Sequence, residues 1–411
     1  MRKTILAAAL FVLAASPLFA KRIEITFWHS LGFHVKELIE QMSDEFNDAH
    51  PDVQVNPIFQ GLYDEMQVKM LASAVTRQLP DVAQVQVEFL EPYLANNLVE
   101  PLAVSEEDRA DIVGLMWELV SRNGAVYAMP FAISTEVLFY NEDAFAKAGL
   151  NPNKPPETWD ELIKYGKKLT QDTNGDGEID RYAMMFWTEG FYGLAPFLWD
   201  FGGKLFTDDG KKVILTSKEM GATIDLLRDM AFKHRIMPYK WTDWEAGQAF
   251  LTGKLAMGIF SSAAISYGEQ NLPWKLRIAP VPLVNGKRTT IIGGSCLVSF
   301  SRNKKAKKAI NEFMVFMNSR ENTIKLHEKI GFIPVRQSAL NSLELKAFWR
   351  ENPNYKVPVD ALGYARLLPV HADFYKINKT LKAMLQRIFL DGADPAAELS
   401  STEQQINASI N

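Results

Sequence analysis

After an apolar N-terminal segment, the chain has a hydrophobic pattern that switches between two periods. Residues 23–28 alternate apolar and polar side chains, which predicts a strand. Between His34 and Ala49 apolar residues recur every three or four positions, which predicts an amphipathic helix ended by Pro51. A second strand follows at residues 53–55. Strand, helix and strand at this spacing predict a βαβ unit, and hence a mostly parallel sheet with helices on its faces.

The same alternation of strands and helices continues along the rest of the chain. Further strands are predicted at residues 81–87, 127–132, 137–140, 254–259 and 289–300. Further helices are predicted at residues 89–96, 142–148, 220–232, 244–252, 304–319 and 321–330. Thr158 caps one more helix, and Glu161 three residues later is placed to complete a reciprocal capping box. The pattern predicts an α/β protein without a repeat of fixed period.

The first twenty residues have the three parts of a secretory signal. A basic start is followed by an apolar run at residues 5–15 and by the candidate cleavage site Pro17-Leu18-Phe19-Ala20. The apolar run is too short to span a membrane. Lys21, and not a cysteine, follows the predicted cut, so we expect a periplasmic protein without a lipid anchor. An uncleaved anchor is the alternative, and the bulky Leu18 leaves the exact cut open.

Length and composition narrow the class of protein further. A chain of 411 residues is long enough for two domains, each with its own core. The single cysteine, Cys296, excludes an internal disulfide, so stability must come from core burial. The formal net charge is −4, and residues of both signs are interspersed without a basic stripe. Nucleic acid and anionic membranes are therefore not expected as partners.

Seven short motifs follow one another along the chain. They are Phe-Trp-His-Ser at 27–30, Gln-Gly-Leu-Tyr at 60–63, the segments 127–135 and 138–145, Pro-Pro-Glu-Thr-Trp at 155–159, Gly-Lys-Leu-Ala-Met at 253–257 and Ile-Gly-Gly-Ser at 292–295. In this order and spacing the chain resembles the family 1 extracellular solute-binding proteins, the maltose-binding-protein group. Within that family it is most similar to the glycerol-3-phosphate-binding branch.

The resemblance implies two doubly wound α/β lobes of the periplasmic-binding-protein type, with a ligand cleft between them. The chain would cross between the lobes near residues 131–137, 292–297 and 335–340. Lobe 1 would comprise residues 21–133 plus about 293–336, and lobe 2 residues 134–292 plus about 337–411. In open α/β sheets ligands bind at the carboxyl ends of the strands, and closure of two lobes buries a small solute.

The function implied by the resemblance is that of a receptor in an ABC import system. Such a receptor captures a small polar solute and delivers it to a membrane permease, which is a separate chain. The solute class implied is glycerol 3-phosphate or a related glycerophosphodiester, with a sugar or oligosaccharide as the alternative. No cofactor is required and no enzymatic activity is expected.

The resemblance also implies which residues contact the solute. The matched positions are Tyr63, Glu88, Ser134, Ser261, Gly293 and Gly294. Tyrosine and serine offer hydroxyls, and two adjacent glycines offer bare backbone N–H donors. Four of these positions have a structural alternative. Tyr63 could pack on its own lobe, the two glycines could form a bulge or hinge, and Glu88, whose match is ambiguous by one residue, could be an ordinary surface carboxylate.

Two tryptophans are further candidates for the ligand site. Trp159 belongs to the Pro-Pro-Glu-Thr-Trp motif and could equally be a core residue at a helix entry. Trp187 follows a predicted strand end and is the first choice for an aromatic surface on which a sugar stacks.

The chain departs from the glycerol-3-phosphate-binding branch at two positions. Phe332 stands where the branch has a ligand-contacting tyrosine, and Asn378 lies near the position of its late arginine. Arg366 is the nearest alternative cation. Losing a hydroxyl and a guanidinium weakens the case for a phosphate ligand, because a buried anion needs a charged or dense hydrogen-bonding partner.

A loop rich in aspartate matches the first nine positions of an EF-hand calcium loop. Its candidate calcium ligands are Asp172, Asn174, Asp176, Glu178 and Asp180. Position twelve, where a bidentate glutamate belongs, is Ala183, so another carboxylate would have to complete the site. The alternative is an Asx-rich turn between helix and strand.

The sequence contains no common catalytic motif. There is no Gly-x-Ser-x-Gly elbow, no His-Glu-x-x-His pair and no phosphate-binding loop with Gly-Lys-Ser. A secreted glycosidase, which needs two acids facing one cleft, is the distant alternative to a receptor. The absence of repeats argues against a structural adhesion module.

Overall fold

The computed structural model describes residues 22–172, 174–185, 190–239 and 241–410. Within these residues the strands are β1 (Ile23–His29), β2 (Val53–Phe59), β3 (Val82–Gln86), β4 (Ser121–Arg122), β5 (Ala125–Val126), β6 (Met129–Asn141), β7 (Met257–Ser261), β8 (Leu276–Ala279), β9 (Thr290–Ser299) and β10 (Ala365–Leu367).

The helices in the N-terminal half are α1 (Phe33–Ala49), α2 (Tyr63–Thr76), α3 (Leu90–Ala95), α4 (Glu106–Asp111), α5 (Gly114–Val120), α6 (Glu142–Lys147), α7 (Trp159–Leu169) and α8 (Phe191–Asp200). Those in the C-terminal half are α9 (Lys218–Phe232), α10 (Asp243–Leu251), α11 (Ile265–Asn271), α12 (Lys307–Met317), α13 (Arg320–Ile330), α14 (Gln337–Leu340), α15 (Leu343–Glu351), α16 (Lys356–Asp360), α17 (Phe374–Phe389) and α18 (Pro395–Asn407). In the described part of the chain, no helix is long and apolar enough to cross a membrane.

One mixed sheet runs through the molecule in the order β2-β1-β3-β9-β6-β7, with β10 on β9 and β8 on β6. Strand β1 is parallel to β2 and β3, as the βαβ pattern predicts. The pairs β3–β9, β9–β6 and β6–β7 are antiparallel, so a mostly parallel sheet is the wrong prediction beyond β3. The reason is that β6 and β9 run between two halves of the molecule and do not return through a crossover helix.

Strand β6 corrects a second prediction. The two strands predicted at 127–132 and 137–140 form one strand of 13 residues, and all but one of its residues are buried. Residues 133–136 between them are Ile-Ser-Thr-Glu, which contain no glycine, proline, asparagine or aspartate that would end a strand. A strand of this length spans about 43 Å, enough to belong to two lobes.

The buried apolar residues form two clusters, and these clusters define the two lobes. The lobe 1 cluster contains residues between Ile25 and Ile133 and between Ile292 and Val335, and the lobe 2 cluster contains most of the rest. The chain passes from one core to the other between residues 133 and 137, between 291 and 292, and between 335 and 339. Helix α13 is shared, because Ile324 packs in the lobe 2 cluster.

Of the two hydrogen bonds predicted for a capping box at Thr158, only one is present. The Thr158 hydroxyl accepts a hydrogen bond from the Glu161 N–H at 3.2 Å. The Glu161 carboxylate accepts from the N–H of Glu157 at 2.8 Å, and not from that of Thr158. The N-cap is therefore as predicted, whereas the reciprocal bond reaches one residue further back.

The third crossing is anchored by a buried arginine. The Arg336 guanidinium pairs with Asp108 at 2.6 Å and with Asp111 at 3.2 Å. Burial alone would raise the pKa of Asp111, but hydrogen bonds from Ser338 and Arg336 outweigh it, and the pKa is lowered. Because Arg336 is only 6% exposed, removing its acidic partners would leave a buried charge unpaired.

Candidate ligand-binding site

A buried carboxamide joins the carboxyl ends of the first strands of lobe 1. Gln84 on β3 accepts hydrogen bonds from the N–H and the hydroxyl of Ser30, both at 2.9 Å. Its Nε2 donates to the Tyr63 hydroxyl at 3.2 Å. Sequence reasoning missed Gln84, although a glutamine between the apolar residues of a buried strand is a usable signal. This network fixes the position of Tyr63 at the first turn of α2.

The Tyr63 hydroxyl is positioned as a donor. Burial raises the pKa of Tyr63 to about 12, so the phenol stays protonated, and Ser295 on β9 is a second hydrogen-bonding neighbour. Gln84 donates to the phenol oxygen, and the Ser295 hydroxyl donates its own proton to the Phe131 carbonyl oxygen, so the phenol is the donor in its hydrogen bond with Ser295. A solute oxygen that approaches Tyr63 would compete with Ser295 for this donor.

Glu88 lies close enough to Tyr63 to contribute to its electrostatic environment. It is half-buried in the 3₁₀ turn at residues 87–89 that follows β3, and its Oε1 accepts from Gln86 at 3.2 Å. Burial raises the pKa of Glu88 to about 7. Near neutral pH this carboxyl group can therefore accept or donate a hydrogen bond.

A bulge joins the two long strands where they pass between the lobes. Ser134 pairs with Gly293 and Ile133 with Gly294, and the register shifts between residues 131 and 133. Gly294 has φ +113°, and a Cβ there would collide with the Ala132 carbonyl oxygen. Ala132 itself has φ 52°. The bulge therefore requires Gly294, and it brings Ser134 and both glycines together.

Tyr192 is a residue of this region that sequence reasoning missed. A Cβ at Gly293 would lie 2.8 Å from the Tyr192 hydroxyl, so the absence of a side chain at Gly293 makes room for this ring. Tyr192 lies in the first turn of α8, directly after a segment predicted to follow a strand end. An aromatic residue in the first turn of a helix that follows a predicted strand end could have indicated Tyr192 from the sequence.

Ser261 lies on the lobe 2 side of the same region. It pairs with Glu136 across β6 and β7. Its hydroxyl accepts from the N–H of Ala263 at 3.3 Å, which caps the 3₁₀ turn at residues 262–264. A hydroxyl that accepts still has a proton to donate, so this cap leaves Ser261 able to serve a ligand.

The pairing register shows which of these side chains share a face of the sheet. Directly paired residues of antiparallel strands point to the same side, and so do residues two apart on one strand. Ser134, Gly293, Glu136 and Ser261 therefore share one face.

Trp159 does not lie at this junction but in a cavity within lobe 2. Its ring is 4% exposed, and its Nε1 is buried without a hydrogen-bond partner among the described residues. The other polar side chains that line the cavity are Glu136, Asp200 and Thr289. Trp187 lies outside the described residues.

Phe332 packs in the core of lobe 1. Its ring is 5% exposed, and its carbonyl oxygen accepts from His327 Nδ1 at 2.8 Å. The preceding Gly331 has φ +108°, and a Cβ there would collide with the Ser262 carbonyl oxygen of lobe 2. A ligand contact by Phe332 stays a prediction, whereas its loop clearly contacts the opposite lobe.

Asn378, near the position of the branch's arginine, is engaged within lobe 2. Its Oδ1 accepts from the N–H of Phe191 at 2.7 Å, which ties α17 to the first turn of α8. Arg366, the alternative cation, is exposed and lies over the Trp199 ring. Neither side chain is brought into contact with Tyr63 or Ser134 by any described hydrogen bond.

The aspartate-rich loop is organised by its own backbone. Asp172 accepts from the N–H groups of Gly175 at 2.6 Å and Gly177 at 2.8 Å, and these bonds lower its pKa. Asp176 accepts from the N–H of Glu178 at 2.8 Å. No group of three His, Cys, Asp or Glu side chains that could hold a metal ion occurs among the described residues. A calcium site here stays a prediction.

Comparison with known proteins points to one family. Residues 41–357 match the model of the family described as bacterial extracellular solute-binding protein. The chain is 28% identical over 378 residues to the sn-glycerol-3-phosphate-binding periplasmic protein UgpB of Brucella abortus, covering 87% of this chain and 84% of the relative. It is 26% identical over 407 residues to UgpB of Pectobacterium atrosepticum, covering 94% and 90%.

Solved structures show the same fold. UgpB from Mycobacterium tuberculosis, in complex with glycerophosphocholine, has a TM-score of 0.81 at 23% identity, covering 94% of this chain and 98% of that one. The GacH receptor of Streptomyces glaucescens, studied unliganded and with acarbose, has a TM-score of 0.82 at 21% identity, with the same coverage. At these identities the structures establish the two-lobed architecture and leave the solute open.

Proposed function

Because this chain belongs to the bacterial extracellular solute-binding proteins, we propose that it is the receptor of an ABC import system for phosphorylated glycerol, above all a glycerophosphodiester. The observation that carries the proposal is the junction of the lobes. Ser134 and the backbone at Gly293 and Gly294 meet there at the bulge between β6 and β9, and the Tyr63 hydroxyl neighbours Ser295 beside them. Relatives over most of the chain are named as glycerol-3-phosphate binders.

The chemistry of this junction suits a phosphodiester better than a phosphate monoester. A monoester carries close to two negative charges near neutral pH, whereas a diester carries one. Hydroxyl and N–H donors can satisfy a single charge, but a buried dianion needs a cation as well. Asn378 supplies no charge, and Arg366 would have to leave Trp199 to reach a phosphate.

A neutral oligosaccharide is the second candidate solute. It is favoured by the amide at Asn378, and the similar structures include receptors with acarbose and cycloalternan. Sugar hydroxyls could use the same Tyr63 and Ser134 donors. The phosphorylated glycerol class stays ahead because relatives with higher sequence identity than these sugar receptors carry that name.

The remaining parts of the proposal concern the setting of the receptor. We infer that the N-terminal signal exports the chain to the periplasm. The solute-loaded form is then presented to separate permease subunits, and no catalysis takes place on this chain. Supporting this, the matched family and its named relatives are solute-binding receptors.

Calorimetry of the purified protein tests the proposal. We expect binding of glycerophosphocholine and glycerophosphoglycerol, weaker binding of glycerol 3-phosphate, and no release of glycerol or alcohol from bound diester. Tyr63→Phe should weaken binding, whereas Tyr165→Phe on α7, a matched loss of one hydroxyl, should not. Tight binding of a neutral oligosaccharide, with none of the phosphorylated compounds, would reject the proposal in favour of the second candidate.

A further inference from the structure

The cavity in lobe 2 adjoins the junction of the lobes, and three elements, β6, β7 and α8, contribute residues to both. Glu136 in its wall is two residues from Ser134 on the same face of β6. Ile259 in its wall is two residues from Ser261 on the same face of β7. Residues two apart on a strand lie about 7 Å from each other, so the cavity begins within one side-chain length of the junction.

The third of these elements is helix α8. Gly193 lines the cavity, while the preceding Tyr192 reaches Gly293 at the junction. The first turn of α8 therefore lies between the junction and the cavity, with one residue facing each. The cavity is lined mostly by apolar side chains with a few polar groups among them, which is typical of small-molecule sites.

The polar groups of the cavity are a donor and carboxylate acceptors. Trp159 Nε1 is buried and has no hydrogen-bond partner among the described residues. Asp200 is 2% exposed, and its Oδ1 accepts from the Thr289 hydroxyl at 2.5 Å. Burial raises the pKa of Asp200 to about 6. Buried N–H groups in native proteins are nearly always hydrogen-bonded, and a bound ligand could supply the acceptor that Trp159 lacks.

We propose that this cavity is a subsite for a hydroxyl-bearing substituent of the solute, a polyol or sugar group, which accepts from Trp159 Nε1 and donates to Asp200. The subsite rests on the proposed function, because the substituent would be the second alcohol of the phosphodiester held at the junction. A hydroxyl matches the cavity since it is both donor and acceptor.

Other substituents match the cavity less well. An alkyl group would leave the Trp159 N–H unpaired. A quaternary ammonium would suit the carboxylates and the aromatic rings of Trp159 and Phe197, but it cannot accept from an N–H. Among the described residues that line the cavity, none is a lysine, arginine or histidine, and a second anionic group would face the Glu136 and Asp200 carboxyl groups.

The test is calorimetry with three probes: glycerol 3-phosphate, glycerophosphocholine and glycerophosphoglycerol. All three contain one glycerol phosphate group, but only the last has a second alcohol on the phosphate that itself bears hydroxyls. Trp159→Phe keeps an aromatic ring and removes the indole N–H, and we expect it to weaken glycerophosphoglycerol binding roughly five- to tenfold. Binding of the other two probes should change by less than about twofold.

Trp274→Phe is the matched control. Its indole N–H is also buried without a partner among the described residues, but the ring packs against Gly253 and Phe250 outside the cavity. It should leave all three affinities unchanged. Because a tryptophan variant can fail to fold, the indole N–H resonances of the unmodified protein provide a second readout. Glycerophosphoglycerol should shift the Trp159 resonance, and glycerol 3-phosphate should not.

The outcomes separate the subsite from the proposed function. Loss of affinity confined to glycerophosphoglycerol, with the shifted resonance, supports the subsite. If Trp159→Phe changes the affinity for all three probes equally, or for none of them, the subsite is overturned but the proposed function as a phosphoglycerol receptor is not. Failure of the unmodified protein to bind any probe would overturn the proposed function and this subsite together.

Discussion

The Arg366 guanidinium lies over the Trp199 ring, with Cζ 4.7 Å from the ring centroid. Arg366 pairs with Ile291 in the ladder between β10 and β9, one residue before the chain enters the lobe 1 core. It also lowers the pKa of the neighbouring Asp200, against a larger rise caused by burial. The candidate cation for a phosphate is thus held by an aromatic ring and an acidic neighbour.

The first prediction concerns the charge of the solute. Arg366→Ala should weaken glycerol 3-phosphate more than a glycerophosphodiester, because Coulomb attraction scales with the charge of the ligand. Calorimetry at low and at high salt measures both affinities. Lys218→Ala removes an exposed cation on α9 and should change neither. Equal losses for both ligands would show that Arg366 acts through Trp199 packing and not through its charge.

The second prediction concerns Gln84 as a positioning residue. A glutamate at this position cannot donate to Tyr63, so the phenol would turn its proton toward the new carboxylate and away from the solute. Gln84→Glu should weaken solute binding about tenfold. In a Tyr63→Phe background the same substitution should have little further effect on affinity.

Gln41→Glu, on the exposed side of α1, is the control for the added charge in that experiment. Melting temperatures separate a loss of folding from a loss of positioning. If Gln84→Glu weakens binding equally in the unmodified protein and in the Tyr63→Phe background, the two residues act independently and the network does not orient the phenol.

The third prediction concerns the bulge between the lobes. Gly294→Ala should destabilise the protein by about 3 kcal/mol, because a side chain there meets the Ala132 carbonyl oxygen at a left-handed φ. Ala132→Gly should stabilise it by about 1 kcal/mol, since Ala132 also has a positive φ. Urea unfolding measures both changes, and a stable Gly294→Ala protein would show that the bulge can shift register.

The fourth prediction concerns acid stability. His327 is buried, its Nδ1 faces the Phe332 carbonyl oxygen at 2.8 Å and its Nε2 accepts from Trp349 at 2.8 Å, so the ring is neutral. Burial lowers the pKa of His327 to about 4, against about 6.5 when unfolded. Between these values the unfolded chain binds more protons than the folded one, so stability falls as the pH decreases.

For His327 this loss should begin below about pH 6.5 and reach roughly 3 kcal/mol near pH 4. His327→Asn removes the titrating group, so its unfolding free energy should depend less on pH across this window. His371→Asn, at a partly exposed histidine, is the matched control. Identical pH profiles for the unmodified protein and His327→Asn would contradict the prediction.

The fifth prediction concerns the loop at residues 172–180. If calcium bridges the Asp172 and Asp176 carboxylates, chelator should lower the melting temperature. Asp176→Ala should abolish the response to chelator. Asp208→Ala removes another exposed carboxylate of lobe 2 and should leave the response intact. If chelator leaves the melting temperature unchanged, the loop binds no calcium and is an Asx turn.

Much of the architecture followed from the pattern of residues. Helices such as α1, α9 and α13 lie within two residues of their predicted bounds, because an apolar stripe at helical spacing must be buried on one side. The solute-binding family was also visible in the sequence, since seven short motifs occur in the order and spacing of that family. The single cysteine, Cys296, is buried and free as expected.

Other features arise only when distant segments meet. No local signal joins residues 127–132 to 137–140 in one strand, because that continuity comes from pairing with β9, about 160 residues later. The role of Gln84 depends on Ser30 and Tyr63, and that of Asn378 on the first turn of α8. Sequence determines which groups can donate or accept, whereas tertiary packing decides which of them are already satisfied, because burial removes the water that would otherwise pair with any of them.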